Sequence, residues 1–151
     1  KALEEFYKIY GRLIYTSAFS ITKSEFLANE IVDDVLWKIW TNAKNIKKIK
    51  NDRGFVYTVT MNCAKDKLRS EEQTAISQEE RGDPFEDFLD REEFFYDISC
   101  LSEAEQQIVI FRIVEDMSFK EIAKTLKMPL STLTSIYYRS LEKIEKSKKF
   151  T

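Results

Sequence analysis

Glu30, Asp33, Asp34 and Trp37 recur at i, i+3, i+4 and i+7, so they would share one face of a helix. Three carboxylates around one large ring suit a basic partner helix, with the indole as an anchor. The same pattern also fits a solvated acidic face with Trp37 folded into a core. A second group runs through Lys44, Lys47, Lys48, Lys50 and Arg53, interleaved with Asn45 and Asn51. Phe55 and Tyr57 follow, then Asn62, Lys65, Lys67 and Arg69. Cations attract a phosphate backbone, and aromatic rings can hold bases that leave the duplex, at about 1–3 kcal/mol per stacked base. The competing reading is a basic loop with two core aromatics. A third group, Ser131, Thr132, Thr134 and Ser135, crowds the first turns of a helix that starts just after Pro129. Free N–H groups and the positive end of the helix dipole sit there, which suits phosphate contact. An ordinary helical hairpin with a hydroxyl-rich solvated face fits equally well.

Catalysis has little to work with. The chain holds no His, the commonest general base and metal ligand. Its two Cys, Cys63 and Cys100, stand far apart and read as reduced cytosolic thiols. No Gly-rich phosphate loop is present, so no metal, no cofactor and no enzymatic activity are expected. No run of about 18 apolar residues exists, so no membrane insertion is expected. No signal peptide is visible behind Lys1, and a cytoplasmic location follows as an expectation.

The elements that carry these groups read as helices. Three Gly and two Pro in 151 residues are too few for the turns of a sheet protein. Steps of three and four join Leu3, Phe6, Tyr7, Tyr10, Leu13, Ile14 and Tyr15. After a break in "ITKSEF", Ser24 is placed to cap a helix over 25–42. Its core face is Ala28, Ile31, Val32, Val35, Leu36, Ile39 and Trp40. A third helix over 55–69 turns Val56, Val59, Thr60, Cys63, Ala64 and Leu68 inward. A helix from about Glu92 carries Phe94, Phe95 and Ile98. Ser102 with Glu105, and Ser118 with Glu121, are capping boxes. The first opens a helix with Ile108, Val109, Phe111 and Ile113 at core spacing, and the second a short helix over 119–126 with Ile122, Ala123 and Leu126 inward. A last helix over 130–146 carries Leu133, Tyr137, Leu141 and Ile144. The turn Lys127-Met128-Pro129 between the last two matches a helix-turn-helix.

Charge divides the chain. Net charge is −2 overall, yet residues 1–70 hold 13 Lys/Arg against 8 Asp/Glu, residues 71–98 hold 2 against 11, and residues 99–151 hold 9 against 7. The expected organisation is all-α: two small helical domains, 1–70 and 93–151, joined by an acidic linker over 71–92.

The rear segment closely resembles region 4 of bacterial sigma-70-family factors, through Leu101-Ser102, Glu105, Phe111-Arg112, Ser118-Phe119, Glu121-Ile122-Ala123, Leu126, Pro129, Thr132-Leu133, Ser135 and the tail "RSLEKI". The front segments "ANEIVDDVLWKIWTN" and "DRGFVYTVTMNCAKDKLR" look like region 2 of the extracytoplasmic-function (ECF) type. Both halves match in the right order across nearly the whole chain.

The resemblance implies a transcription initiation factor that directs RNA polymerase core to promoters. Glu30, Asp33, Asp34 and Trp37 would meet the β′ clamp helices, with the β flap as a further polymerase contact. Asn45, Lys47, Lys48, Lys50, Asn51, Arg53, Phe55, Tyr57, Asn62, Lys65 and Arg69 would read and melt the −10 element. Ser131, Thr132, Thr134, Ser135, Tyr138 and Arg139 would contact the −35 element. The acidic linker would thread toward the RNA path of the polymerase, where its charge imitates a nucleic-acid strand. An anti-sigma factor is expected as a further partner. Relatives usually carry Lys or Arg where this chain has Thr134 and Ile136, and losing two phosphate contacts flattens the salt dependence by roughly two units of log–log slope. The alternative is a sigma-like co-factor or adaptor that binds polymerase or another protein with weakened promoter recognition.

Overall fold

The computed structural model of the chain describes residues 2–41, 53–71 and 98–149. Six α-helices make up these segments: α1 (Ala2–Thr22), α2 (Glu25–Thr41), α3 (Arg53–Glu71), α4 (Glu103–Val109), α5 (Phe119–Leu126) and α6 (Leu130–Lys149). A π-helical turn, Ile110–Val114, extends α4. The described residues contain no strand. The chain divides into two compact units, Lys1–Pro84 and Phe85–Thr151. No described helix is long and apolar enough to cross a membrane. The loop 42–52, most of the acidic segment and the helix expected from Glu92 lie outside the described residues, apart from Ile98, which is fully buried.

In the front unit α1 packs against both α2 and α3, and α2 packs against α3. Phe6, Tyr10, Leu13, Ile14 and Ala18 of α1 meet a core completed by Leu27, Ala28, Ile31, Val32, Val35 and Ile39 of α2 and by Val56, Met61, Cys63 and Ala64 of α3. The break between α1 and α2 is only two residues long. Lys23 takes a left-handed backbone at φ 56°, and the Ser24 hydroxyl accepts from the Leu27 amide at 3.2 Å, so Ser24 is the cap. The buried hydroxyls of Ser20 and Thr60 donate to their own helix carbonyls, Ser17 O at 2.7 Å and Val56 O at 2.8 Å. Neither therefore enters the interface as an unpaired polar group.

The rear unit is built on caps. Ser102 and Ser118 each accept from the amide three residues on, and Glu105 and Glu121 return a bond to the cap amide. α5 ends with Lys127 left-handed at φ 55°. The Met128 amide donates to Ala123 O at 3.0 Å, closing the last turn as a Schellman motif. Pro129 then gives its carbonyl to the Leu133 amide at 3.0 Å and needs no N–H of its own there. α6 packs on α4 and α5, and α5 on the π-helical turn.

Three expectations need correction. Trp40, expected in the core of α2, is 43% exposed; Ile39 takes the inward position, and the next residue lies a full helical step around. Tyr57, expected to stack with Phe55, is 3% exposed. It is buried beside Val56 in α3, whereas Phe55 remains 42% exposed. Ile113, expected in the core, is 38% exposed, and Val114 is buried instead. The π-helical turn is the reason: Glu115 N bonds Ile110 O at 3.1 Å, so side chains five apart share a face and Val114, not Ile113, falls beneath Val109.

Two measurements follow. Lys143 Nζ donates to Glu105 Oε2 at 2.7 Å, linking α6 to α4. That bond, with the Ser102 amide, holds the Glu105 carboxyl below the usual carboxylate range. A depressed carboxylate stabilises the fold above its unfolded-state pKa, and that stabilisation is lost as pH falls through the folded value. Glu105→Gln keeps an acceptor for the Ser102 amide but loses the charge. It is expected to be less stable than wild type at neutral pH, with the gap closing on acidification; a gap that persists in acid would contradict this origin. Second, the chain has two Trp, and Trp37 and Trp40 are 66% and 43% exposed. Acrylamide is expected to quench nearly all tryptophan emission of the free protein, and a protected fraction would place one indole in a core.

Candidate functional site

The acidic group sits where α2 turns away from its core stripe. Glu30 and Asp34 are half-buried, and Asp33 and Trp37 are exposed. Among the described residues Trp37 is the most exposed large apolar side chain, which excludes the reading that folds it into the core. It lines an open cleft of about 340 Å³ between α2 and α3, whose walls include Asp34, Cys63, Asp66 and Lys67. Sequence spacing could not place Cys63, Asp66 or Lys67 here, because they belong to α3 and reach α2 only through the packing of the two helices.

By sequence Lys67 belongs to the basic strip of α3, but in the structure it faces α2. Its Nζ lies 3.2 Å from Glu30 Oε2 and 3.2 Å from Asp34 Oδ2. Burial pulls the ammonium pKa down, but the hydrogen bonds and charges of the two carboxylates outweigh it and raise the pKa overall. The face therefore carries its own counter-ion.

The second group is divided. Asn45, Lys47, Lys48, Lys50 and Asn51 lie outside the described residues. On α3, Phe55, Asn62, Lys65 and Arg69 are all exposed, with Arg53 half-buried at the start. Steps of three, four and seven put Phe55, Asn62, Lys65 and Arg69 on one face. Asp66 pairs with Arg69 on that side, so the strip is less basic than its Lys/Arg count implies. Tyr57 does not join it.

The third group lies on α6. Ser131, Thr132, Ser135, Tyr138 and Arg139 are exposed, while Leu133 and Ser140 are fully buried on the opposite side. Thr134 is half-buried, and its hydroxyl donates to Ser131 O at 3.1 Å. Arg139 Nε donates to Ser135 O at 3.3 Å, so the guanidinium lies along its own helix. Ile136 is half-buried.

One support was not legible in the sequence. Tyr137 and Tyr138 both pack on Phe119 of α5, with ring centroids 5.2 and 6.2 Å away. Arg112 lies over the Phe119 ring, its guanidinium carbon 4.7 Å from the centroid. Arg112 also donates to Met117 O at 3.0 Å, tying down the loop that enters α5. Tyr138 is thus held by an aromatic bracket while staying 56% exposed. The bracket joins residues from the π-helical turn, α5 and α6, and no local spacing announces it.

The arrangement offers docking surfaces rather than chemistry. Among the described residues no group of three or more His, Cys, Asp or Glu could hold a metal ion.

Comparison with known proteins agrees with this division. Residues 6–74 match the family model described as sigma-70 region 2, and residues 98–144 match the one described as sigma-70, region 4. No curated protein matches the chain by sequence. Among solved structures, the chain is similar to the sigma factor RpoE of Bartonella quintana, determined in complex with the anti-sigma factor NepR. The TM-score is 0.65 at 17% identity, covering 97% of this chain and 96% of that one. At that identity the likeness speaks for the fold, whereas the two family models, in chain order and each within one compact unit, settle descent. The chain belongs to the sigma-70 family, with region 2 in its front unit and region 4 in its rear unit.

Proposed function

We propose that this chain is an ECF-type sigma factor that engages core RNA polymerase through the Glu30, Asp33, Asp34 and Trp37 face. The family assignment makes it a promoter-directing initiation factor that performs no chemistry of its own. Two regions with little between them support the ECF type. The observation that carries the polymerase contact is Trp37: an indole 66% exposed amid three carboxylates. A helix does not leave so large an apolar surface in water without cost, and an aromatic anchor ringed by charge is how a partner helix is gripped.

The DNA contacts follow from the same placement. The exposed α3 strip of Phe55, Asn62, Lys65 and Arg69, with Arg53 and the preceding Asn45–Asn51 loop, is read as the −10 surface. Phe55 supplies the stacking face that Tyr57 cannot. The exposed hydroxyls of Ser131, Thr132 and Ser135, with Thr134, Tyr138 and Arg139, are read as the −35 surface. α6 enters a major groove as a recognition helix, with its N-terminal residues toward the bases. With a single cation among these residues, −35 affinity rests more on hydroxyl and aromatic contacts than on phosphate neutralisation. A β-flap contact, action in the cytoplasm and control by an anti-sigma factor complete the reading; the similar RpoE was solved with such a partner.

Run-off transcription with purified core enzyme tests the whole proposal. Promoter-dependent RNA from core plus this protein is the expected result. Tight core binding without RNA would favour the adaptor reading instead. For the polymerase face, Asp34→Lys is expected to weaken core binding by on the order of tenfold or more while helix content is unchanged. An unaltered titration would remove Asp34 from that surface.

A further inference from the structure

Lys67 is the cation of α3 that turns from the exposed strip to α2. Its two ion pairs, each 3.2 Å, go to Glu30 and Asp34. These are two of the three carboxylates on the face read above as the polymerase surface, and the inference rests on that reading. A plain staple between helices is the simplest use of such a lysine. Partly exposed pairs of this kind contribute little to stability, however, because solvent screens them and two long side chains must be ordered. Their position has a larger consequence. The Glu30 and Asp34 side chains remain 34% and 47% exposed, and that of Lys67 is 28% exposed. All three are therefore open to solvent, and Asp34 and Lys67 line the cleft beside Trp37.

We propose that Lys67 is an internal stand-in for the cation of the incoming polymerase helix, occupying Glu30 and Asp34 in the free protein and lowering the affinity of that face until it is displaced. The chemistry names the kind of partner that succeeds. A lysine arriving from outside offers the same point charge that Lys67 already supplies. An arginine offers a planar fork that can bind a carboxylate through two parallel N–H bonds, stronger than one ammonium contact. The face therefore selects an arginine-bearing helix that also places an apolar side chain on Trp37. It discriminates against generally basic proteins that lack both. The sequence asks for such discrimination: an unshielded cluster of three carboxylates would attract any cation in the cell.

The test is a titration of core RNA polymerase with the full chain at two salt concentrations, using Lys67→Met, Lys67→Gln, Lys67→Arg and Trp37→Ala. Both neutral variants are expected to bind core about three- to tenfold more tightly than wild type at the lower salt. Their salt dependence is expected to be steeper, since the partner's cations then meet unshielded carboxylates. Lys67→Arg, a stronger internal occupant, is expected to bind core more weakly. A mere staple predicts the reverse order: neutral variants unchanged or weaker, Arg unchanged or tighter. That order would overturn the proposal. Helix content is recorded for each variant, and if the neutral variants lose it, the Arg arm decides. Trp37→Ala separates the two levels. If it binds core like wild type, the polymerase face itself is wrong. If it weakens binding while the Lys67 variants follow the staple order, the face stands and the stand-in fails.

Discussion

The burial of one stripe of α2 governs the front unit. Ala28, Ile31, Val32, Val35 and Ile39 are driven against α1 and α3 by apolar transfer, and all are nearly inaccessible. A helix has only one such stripe to give. Once those five are inside, Asp33 and Trp37 have no choice but to face water, and Glu30 and Asp34 are left at the margin. The exposure of Trp37 is thus a consequence of the core. A less regular stripe would have let the indole rotate inward, where its area would have repaid the move. Left outside, the indole keeps a large apolar surface open beside the carboxylates of α2.

The rear unit reaches the same end by a different route. Two of its helices are short: α4 has seven residues and α5 has eight. Helices of that length do not hold in water by propensity. Two capping boxes, a left-handed Lys127 and the Arg112–Phe119–Tyr137 bracket fix where each helix starts, stops and lies. The π-helical turn moves Ile113 out and Val114 in, and it brings Arg112 to the ring of Phe119. The result is a last helix with Leu133 and Ser140 buried and a row of small hydroxyls facing out. Small side chains permit close approach to a groove wall, and close approach is what lets backbone N–H groups and hydroxyls act without many cations.

Charge in this protein is local. A net charge of −2 says nothing useful about nucleic acid, because basic and acidic residues are segregated along the chain. The structure adds a second level of locality. Lys67 is spent on Glu30 and Asp34, and Arg69 pairs with Asp66, so neither contributes its full charge to the α3 strip. Counting Lys and Arg along a helix overstates the field that a phosphate backbone would meet.

The sequence by itself determined the helical class, the two-part organisation and both capping boxes. These are set by residues within one turn of each other: a Ser with a Glu three on, a shortage of Gly and Pro, apolar steps of three and four. It also determined that Glu30, Asp33, Asp34 and Trp37 share a face, since that follows from 3.6 residues per turn alone. Only the tertiary structure decided which way that face points, because Trp37 fits core or surface, and Trp40 fits the core, until α1 and α3 are in place. Only the tertiary structure moved Tyr57 inward, displaced Ile113 through a backbone bond of five-residue span, and turned Lys67 from the exposed strip of α3 to an acidic neighbour. The places of Tyr57 and Lys67 depend on partners far away in sequence, and the bond from Glu115 to Ile110 breaks the 3.6-residue period itself; periodicity carries no information about either.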